Sequence, residues 1–97
     1  MDASIHRFLQ HLQSQEGAAE NTLLAYSTDL EQFQRVVKTH SNSYDMLAAI
    51  DYANVRDYAD WLTKQGYRPA TVSRKMAAVR SYLAYLNDVE SITTAHL

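Results

Sequence analysis

Cysteine is absent from the sequence, which excludes disulfide staples and thiolate metal sites and fits a reducing compartment. Glycine occurs twice and proline once in 97 residues, too little punctuation for a chain of many turns. No apolar run approaches the roughly 18 residues of a membrane span, and Asp2 with no apolar stretch behind it does not read as a secretion signal. No Asn-Gly or Asp-Gly pair marks a hairpin, and the β-branched residues are scattered rather than alternating. Strands are therefore not expected, and neither is a glycine-rich phosphate loop. These absences leave a soluble, cytoplasmic, single-core protein of about 11.1 kDa, with stability on the order of 5–10 kcal/mol.

What is present is helical periodicity. Ile5, Phe8, Leu9 and Leu12 share one face of a segment running from about Asp2 to Gln15, which Gly17 interrupts. From Thr22 to about His40, Leu23, Tyr26, Leu30, Phe33 and Val37 fall in a narrow arc, and Asn21 or Thr22 is placed to cap the helix. Residues 45–50 read equally as a short helical turn or a loop. Asp51 is a suitable N-cap for a third helix, with Val55, Tyr58, Ala59 and Leu62 inward and Gly66 as its C-terminal stop. Pro69 suits the first turn of a fourth helix reaching about Asn87, because its missing N–H is unneeded there. Amphipathic helices joined by short loops bury their stripes against one another, so the fold class is all-α, a compact bundle of four to five helices. The domain is taken as residues 1–87, and the weakly periodic residues 88–97 read as the start of a linker.

Formal charge is −2 at pH 7, but it is unevenly spread. Lys64, Arg68, Arg74, Lys75 and Arg80 are the charged residues between positions 64 and 86, and all 11 acids lie elsewhere. The fourth helix explains this by angle. Val72, Met76, Val79, Leu83 and Leu86 gather in a stripe about 80° wide, with Lys75 and Tyr82 at its edge. The opposite side carries Ser73, Arg74, Ala77, Arg80, Ser81 and Ala84. Guanidinium groups suit phosphates and guanine edges, serine hydroxyls suit phosphates, and alanines give clearance in a groove. The same residues also serve as ordinary solvent-facing filler, so the pattern alone leaves both readings open.

Two stretches add a resemblance. Glu20 to Phe33, "ENTLLAYSTDLEQF", carries Asn-Thr-Leu, Ala-Tyr and Asp-Leu at the spacing found in the N-terminal core-binding domain of the tyrosine recombinases, the phage integrase and Xer-type family. Gly66 to Leu86, "GYRPATVSRKMAAVRSYLAYL", is similar to the last helix of that domain, and "AHL" at residues 95–97 resembles the point where the linker to a catalytic domain begins. The resemblance implies a SAM-like bundle that forms half of a C-shaped clamp on double-stranded DNA, with the second and fourth helices at the major groove. It carries over Thr22 and Thr28 on the second helix. On or near the fourth it carries over Thr71, Ser73, Arg74, Lys75, Arg80 and Ser81, to which Arg68 and Ala77 add the rest of the basic, small-residue face. It also implies strand exchange by a separate C-terminal domain and contact with other recombinase protomers on synapsed DNA, with no cofactor, no metal, no membrane and a monomeric fragment. Family members often have basic residues where this chain has Ser27 and Thr28, which weakens the second helix as a phosphate clamp. They often have a serine cap where it has Ala19 and Arg68.

Catalysis by this segment is not expected. The seven tyrosines are explained by packing: Tyr26, Tyr58 and Tyr82 fit core-edge positions with the ring buried and the hydroxyl reaching water. His6 and His11 lie about 140° apart on the first helix and cannot share a metal. With His40 and His96 they read as surface groups, and Asp57 and Asp60 read as an exposed acidic face. The alternative function is a helical protein-interaction module that uses the same small-residue face, or the apolar Leu24, to dock a partner.

Overall fold

The structure, a computed structural model, describes residues 3–41 and 52–89. They form four helices: α1 (Ala3–Glu16), α2 (Glu20–Ser41), α3 (Tyr52–Lys64) and α4 (Pro69–Asp88). No strand occurs among the described residues. Helices α2 and α4 pack on each other at the centre, and α1 and α3 each rest on both. The predicted all-α bundle is thus what forms. The cap at Asp51, the ambiguous residues 45–50 and the tail from residue 90 lie outside the described residues.

Local chemistry explains the boundaries. Helix α3 ends at Gly66, whose φ of 93° is a left-handed conformation that costs a residue without Cβ nothing. There Gly66 N–H donates to the Thr63 carbonyl and Tyr67 N–H to the Leu62 carbonyl, the paired bonds of a Schellman stop. Pro69 then opens α4 behind Arg68, which is extended at φ −68°, ψ 152° and makes no side-chain cap. Helix α2 begins earlier than the capping signal suggests. Leu23 N–H donates to the Ala19 carbonyl, so Ala19 occupies the cap position, and Asn21 and Thr22 lie inside the first turn. Glu20, in that turn, places a negative charge where the helix dipole favours it.

Every anticipated α1 and α2 face residue points inward, with Ile5, Phe8, Leu12, Leu30, Phe33 and Val37 fully buried and Leu9, Leu23 and Tyr26 packed against them. In α4 the buried arc is much wider than the 80° stripe. Lys75, Ala78, Tyr82 and Tyr85 join Met76, Val79, Leu83 and Leu86 in the interior, extending it to about half the helix circumference. The reason is topological: α4 is covered on three sides, by α1, α2 and α3.

The two ends of α4 pack differently. Toward its C-terminus, the Phe8 ring meets Tyr82 at 5.7 Å and Tyr85 at 5.4 Å in tilted geometry and lies nearly parallel to Tyr26 at 6.3 Å. Toward its N-terminus α4 meets charged and amide groups of α2. On the α3 side, Tyr58 stands edge-on to Phe33 at 5.1 Å and parallel to Trp61 at 6.2 Å. Two of the three tyrosine hydroxyls expected to reach water, those of Tyr58 and Tyr82, are instead bonded within the protein, while Tyr26 is half-buried. The Tyr82 hydroxyl hydrogen-bonds the Ser4 hydroxyl in the core, and Tyr58 donates to Gln32 Oε1 at 3.3 Å.

Candidate nucleic-acid interface

Burying half of α4 leaves the other half, about 180°, facing outward, and the residues singled out by charge and size occupy it. Ser73, Arg74, Ala77, Arg80 and Ala84 are exposed. Ser81 is half-buried at the strip's edge, where it borders a groove of about 360 Å³ between α1 and the C-terminal half of α4, alongside Phe8, His11 and Tyr85. Thr71 is half-buried on the first turn of α4, and Arg68 is exposed just before it.

On α2, Thr22 and Thr28 are both exposed. Seven residues separate Thr22 from Asp29 and four separate Thr28 from Gln32, so the threonines continue the helical rows of these two α4-facing side chains. They therefore flank the α2–α4 contact. Thr28 turns its own hydroxyl onto the Leu24 carbonyl at 3.1 Å, which still leaves the oxygen able to accept.

Lys75 does not belong with this set. Its side chain is 8% exposed, and its ammonium donates to Asp29 Oδ1 at 3.0 Å and Gln32 Oε1 at 2.8 Å while standing 5.2 Å from the Tyr67 ring centre. All of these partners lie within the protein, so the assignment of Lys75 as a DNA contact is corrected to a core ion pair. A buried ammonium is retained only where such partners replace its water.

Around Lys75 lies a connected polar group. The Asp29 carboxylate, 3% exposed, also accepts from Arg74 Nη1 at 2.5 Å. Gln32 Nε2 donates to the Tyr67 hydroxyl at 3.0 Å. Burial pushes the Tyr58 hydroxyl well above its ordinary pKa of 10.0, and the nearby Asp29 charge and Tyr67 push the same way against the opposing Arg35. No buried polar side-chain atom among the described residues lacks a partner.

No group of three metal-ligating side chains occurs among the described residues, and no helix of the structure is long and apolar enough to cross a membrane. His6 is exposed, whereas His11 is half-buried with its ring 5.1 Å from that of Tyr85. Asp57 and Asp60 are exposed.

Comparison with known proteins decides the family. The model of the phage integrase N-terminal SAM-like domain matches residues 5–90. The chain belongs to that family. Among curated relatives, the tyrosine recombinase XerC of Chlorobaculum tepidum is 33% identical over 94 residues, which is 93% of this chain and 28% of that protein. XerC of Herpetosiphon aurantiacus is 32% identical over 97% of this chain and 30% of the relative. The tyrosine recombinase XerD of Vibrio cholerae is 29% identical over 86% and 26%. The chain thus spans less than a third of the length of these relatives. No solved structure matches it.

Within this integrase SAM-like domain, the residues that sequence reasoning missed are Asp29 and Gln32. Asp29 flanks the apolar stripe of α2, about 40° from Phe33, and an acid placed there opposite a helix with adjacent cations was the available signal.

Proposed function

We propose that this domain binds duplex DNA of a recombination site through the outward strip of α4, with the exposed threonines of α2 beside it. The observation that supports this most directly is the division of α4. Its apolar half is consumed by three neighbouring helices, while Ser73, Arg74, Ala77, Arg80 and Ala84 remain together in solvent. Small side chains allow backbone approach, and the guanidinium groups offer forked donors to phosphates or guanine edges. Thr22, Thr28, Arg68, Thr71 and Ser81 border the strip. In this reading the domain clamps the site for a tyrosine recombinase, a cytoplasmic protein whose strand cleavage and exchange reside in a separate C-terminal domain, with protomers meeting on the synapsed DNA.

The test is fluorescence anisotropy with a duplex selected by this chain from a randomised 20-bp library. Two to three exposed guanidinium groups on phosphates, from Arg68, Arg74 and Arg80, give a slope of about −2 to −3 in log K against log salt. Arg74→Glu combined with Arg80→Glu abolishes binding while circular dichroism stays helical; unchanged binding by that variant sinks the assignment of this face.

One observation favours a protein-interaction module instead. Leu24 is 60% exposed on α2, a large apolar side chain without full cover among the described residues. Tight capture of a protein partner with no shift of any duplex at low salt would select that reading.

A further inference from the structure

Arg74 and Lys75 are neighbours in sequence with unlike surroundings, yet both hold the same carboxylate. Lys75 is enclosed, and one ammonium at 3.0 Å from Oδ1 suffices to neutralise Asp29. Arg74 adds a second cation through Nη1 alone, from a side chain that is 54% exposed. The site therefore carries one net positive charge, displayed at the surface on Arg74. The remaining guanidinium donors of Arg74 make no other hydrogen bond or ion pair with the described residues. Arg80, on the same strip, makes no hydrogen bond, ion pair or ring contact with the described residues. A free arginine side chain loses much rotamer freedom when it docks, whereas one already fixed by a buried partner has lost it beforehand. The partner itself is fixed, because Asp29 is enclosed and bonded through both oxygens.

We propose that Asp29 is a positioning residue for DNA recognition: the buried carboxylate holds Arg74 by one nitrogen at the α2–α4 crossing, so the rest of its fork is aimed at the duplex before contact. This rests on the reading of α4 as the DNA-facing helix. Asp29 touches no nucleic acid and acts through Arg74. The arrangement makes one of the two exposed α4 arginines a sequence-reading group and leaves Arg80 as a mobile phosphate contact.

Substituting Asp29→Asn separates this from a general charge effect, because removing an acid near a DNA face raises net charge by one and tightens binding to any duplex. The proposal requires the opposite on the preferred duplex, selected as above: about tenfold weaker affinity, with a scrambled duplex of equal composition bound as well as or better than before. D29N combined with R74A is no weaker than R74A alone. Leu12→Ala, which loosens the fold at the other end of the bundle, leaves the ratio of preferred to scrambled affinity unchanged. Tightening on both duplexes, or equal weakening on both in step with lost folded fraction, overturns the proposal. A measurement on the wild-type chain covers the case in which D29N does not fold: the Arg74 Nε–H heteronuclear NOE approaches backbone values while that of Arg80 stays low, and equal mobility of the two sinks the idea. Failure of the wild-type chain to bind any duplex at low salt overturns the DNA reading as a whole. Binding that D29N leaves intact overturns this inference alone.

Discussion

Helix α4 is held at its two ends by opposite means. Its C-terminal half lies against α1 through rings, with Phe8 between Tyr82 and Tyr85. Its N-terminal half lies against α2 through charge, with Lys75 and Arg74 on Asp29 and Lys75 on Gln32. Ring packing tolerates small slides of one helix past another, whereas hydrogen bonds to a buried carboxylate do not. The difference places the geometrically stricter contact at the end of α4 that carries Ser73 and Arg74. Stability and positioning are thus drawn from different halves of the same helix.

The ring end carries the larger share of stability. Phe8 is 2% exposed and touches three aromatic rings, so Phe8→Ala removes both transfer energy and packing and costs about 3–5 kcal/mol. For a domain of this size that approaches the whole stability, and urea denaturation is the measurement. A loss below about 1 kcal/mol would show that the rings fill space without holding α1 in place.

The charged end is worth less in stability, because the desolvation of Asp29 and Lys75 offsets much of their attraction. Lys75→Met keeps the length of the side chain and leaves Arg74 as the remaining counter-charge. The expected cost is about 1–3 kcal/mol in the same assay. A variant as stable as wild type would reverse the comparison, making the ion pair a device of geometry alone.

Much of this was legible in the sequence, for a physical reason. Helical periodicity encodes which face is apolar, so the inward residues of α1, α2 and α3 and the outward strip of α4 follow from spacing. Gly66 and Pro69 likewise mark their boundaries through backbone chemistry that needs no partner. Periodicity does not encode how many neighbours a helix has. Tyr85 and Ala78 sit outside the stripe by angle, and only the covering of α4 on three sides buries them. Lys75 was misplaced for a related reason: a lysine at the edge of a stripe faces solvent unless another helix brings an acid to it, and Asp29 is 46 residues away in the chain. The hydroxyls of Tyr58 and Tyr82 also find partners from distant elements.

Tyrosine 58 joins the two kinds of packing, since its ring meets Phe33 and its hydroxyl meets Gln32. Its raised pKa fixes the sign of an alkaline effect. The unfolded chain releases the phenolic proton near pH 10.0, while the folded chain keeps it, so the stability it contributes is fully present below that pH. Above it, stability falls by about 1.4 kcal/mol per pH unit from this group until the folded hydroxyl titrates as well. Tyr58→Phe removes that component, which the difference between the two urea-stability profiles at pH 9 and pH 11 measures. Profiles that remain parallel would mean the hydroxyl is no more enclosed than a surface tyrosine.

The smallest effect tests how apolar the ring end is. Tyr82, one of the rings around Phe8, also bonds the Ser4 hydroxyl in the core through its own hydroxyl. Tyr82→Phe keeps the ring against Phe8 and deletes this bond, at an expected cost of about 1 kcal/mol. The informative quantity is its coupling with Phe8→Ala. If the bond merely satisfies two buried hydroxyls, the two substitutions add. If it sets the axial position of α1 on α4, removing Phe8 first leaves the bond nothing to align, and the double variant is less destabilised than the sum. That second outcome would make the ring end directional too and would narrow the contrast between the halves of α4 to one of charge.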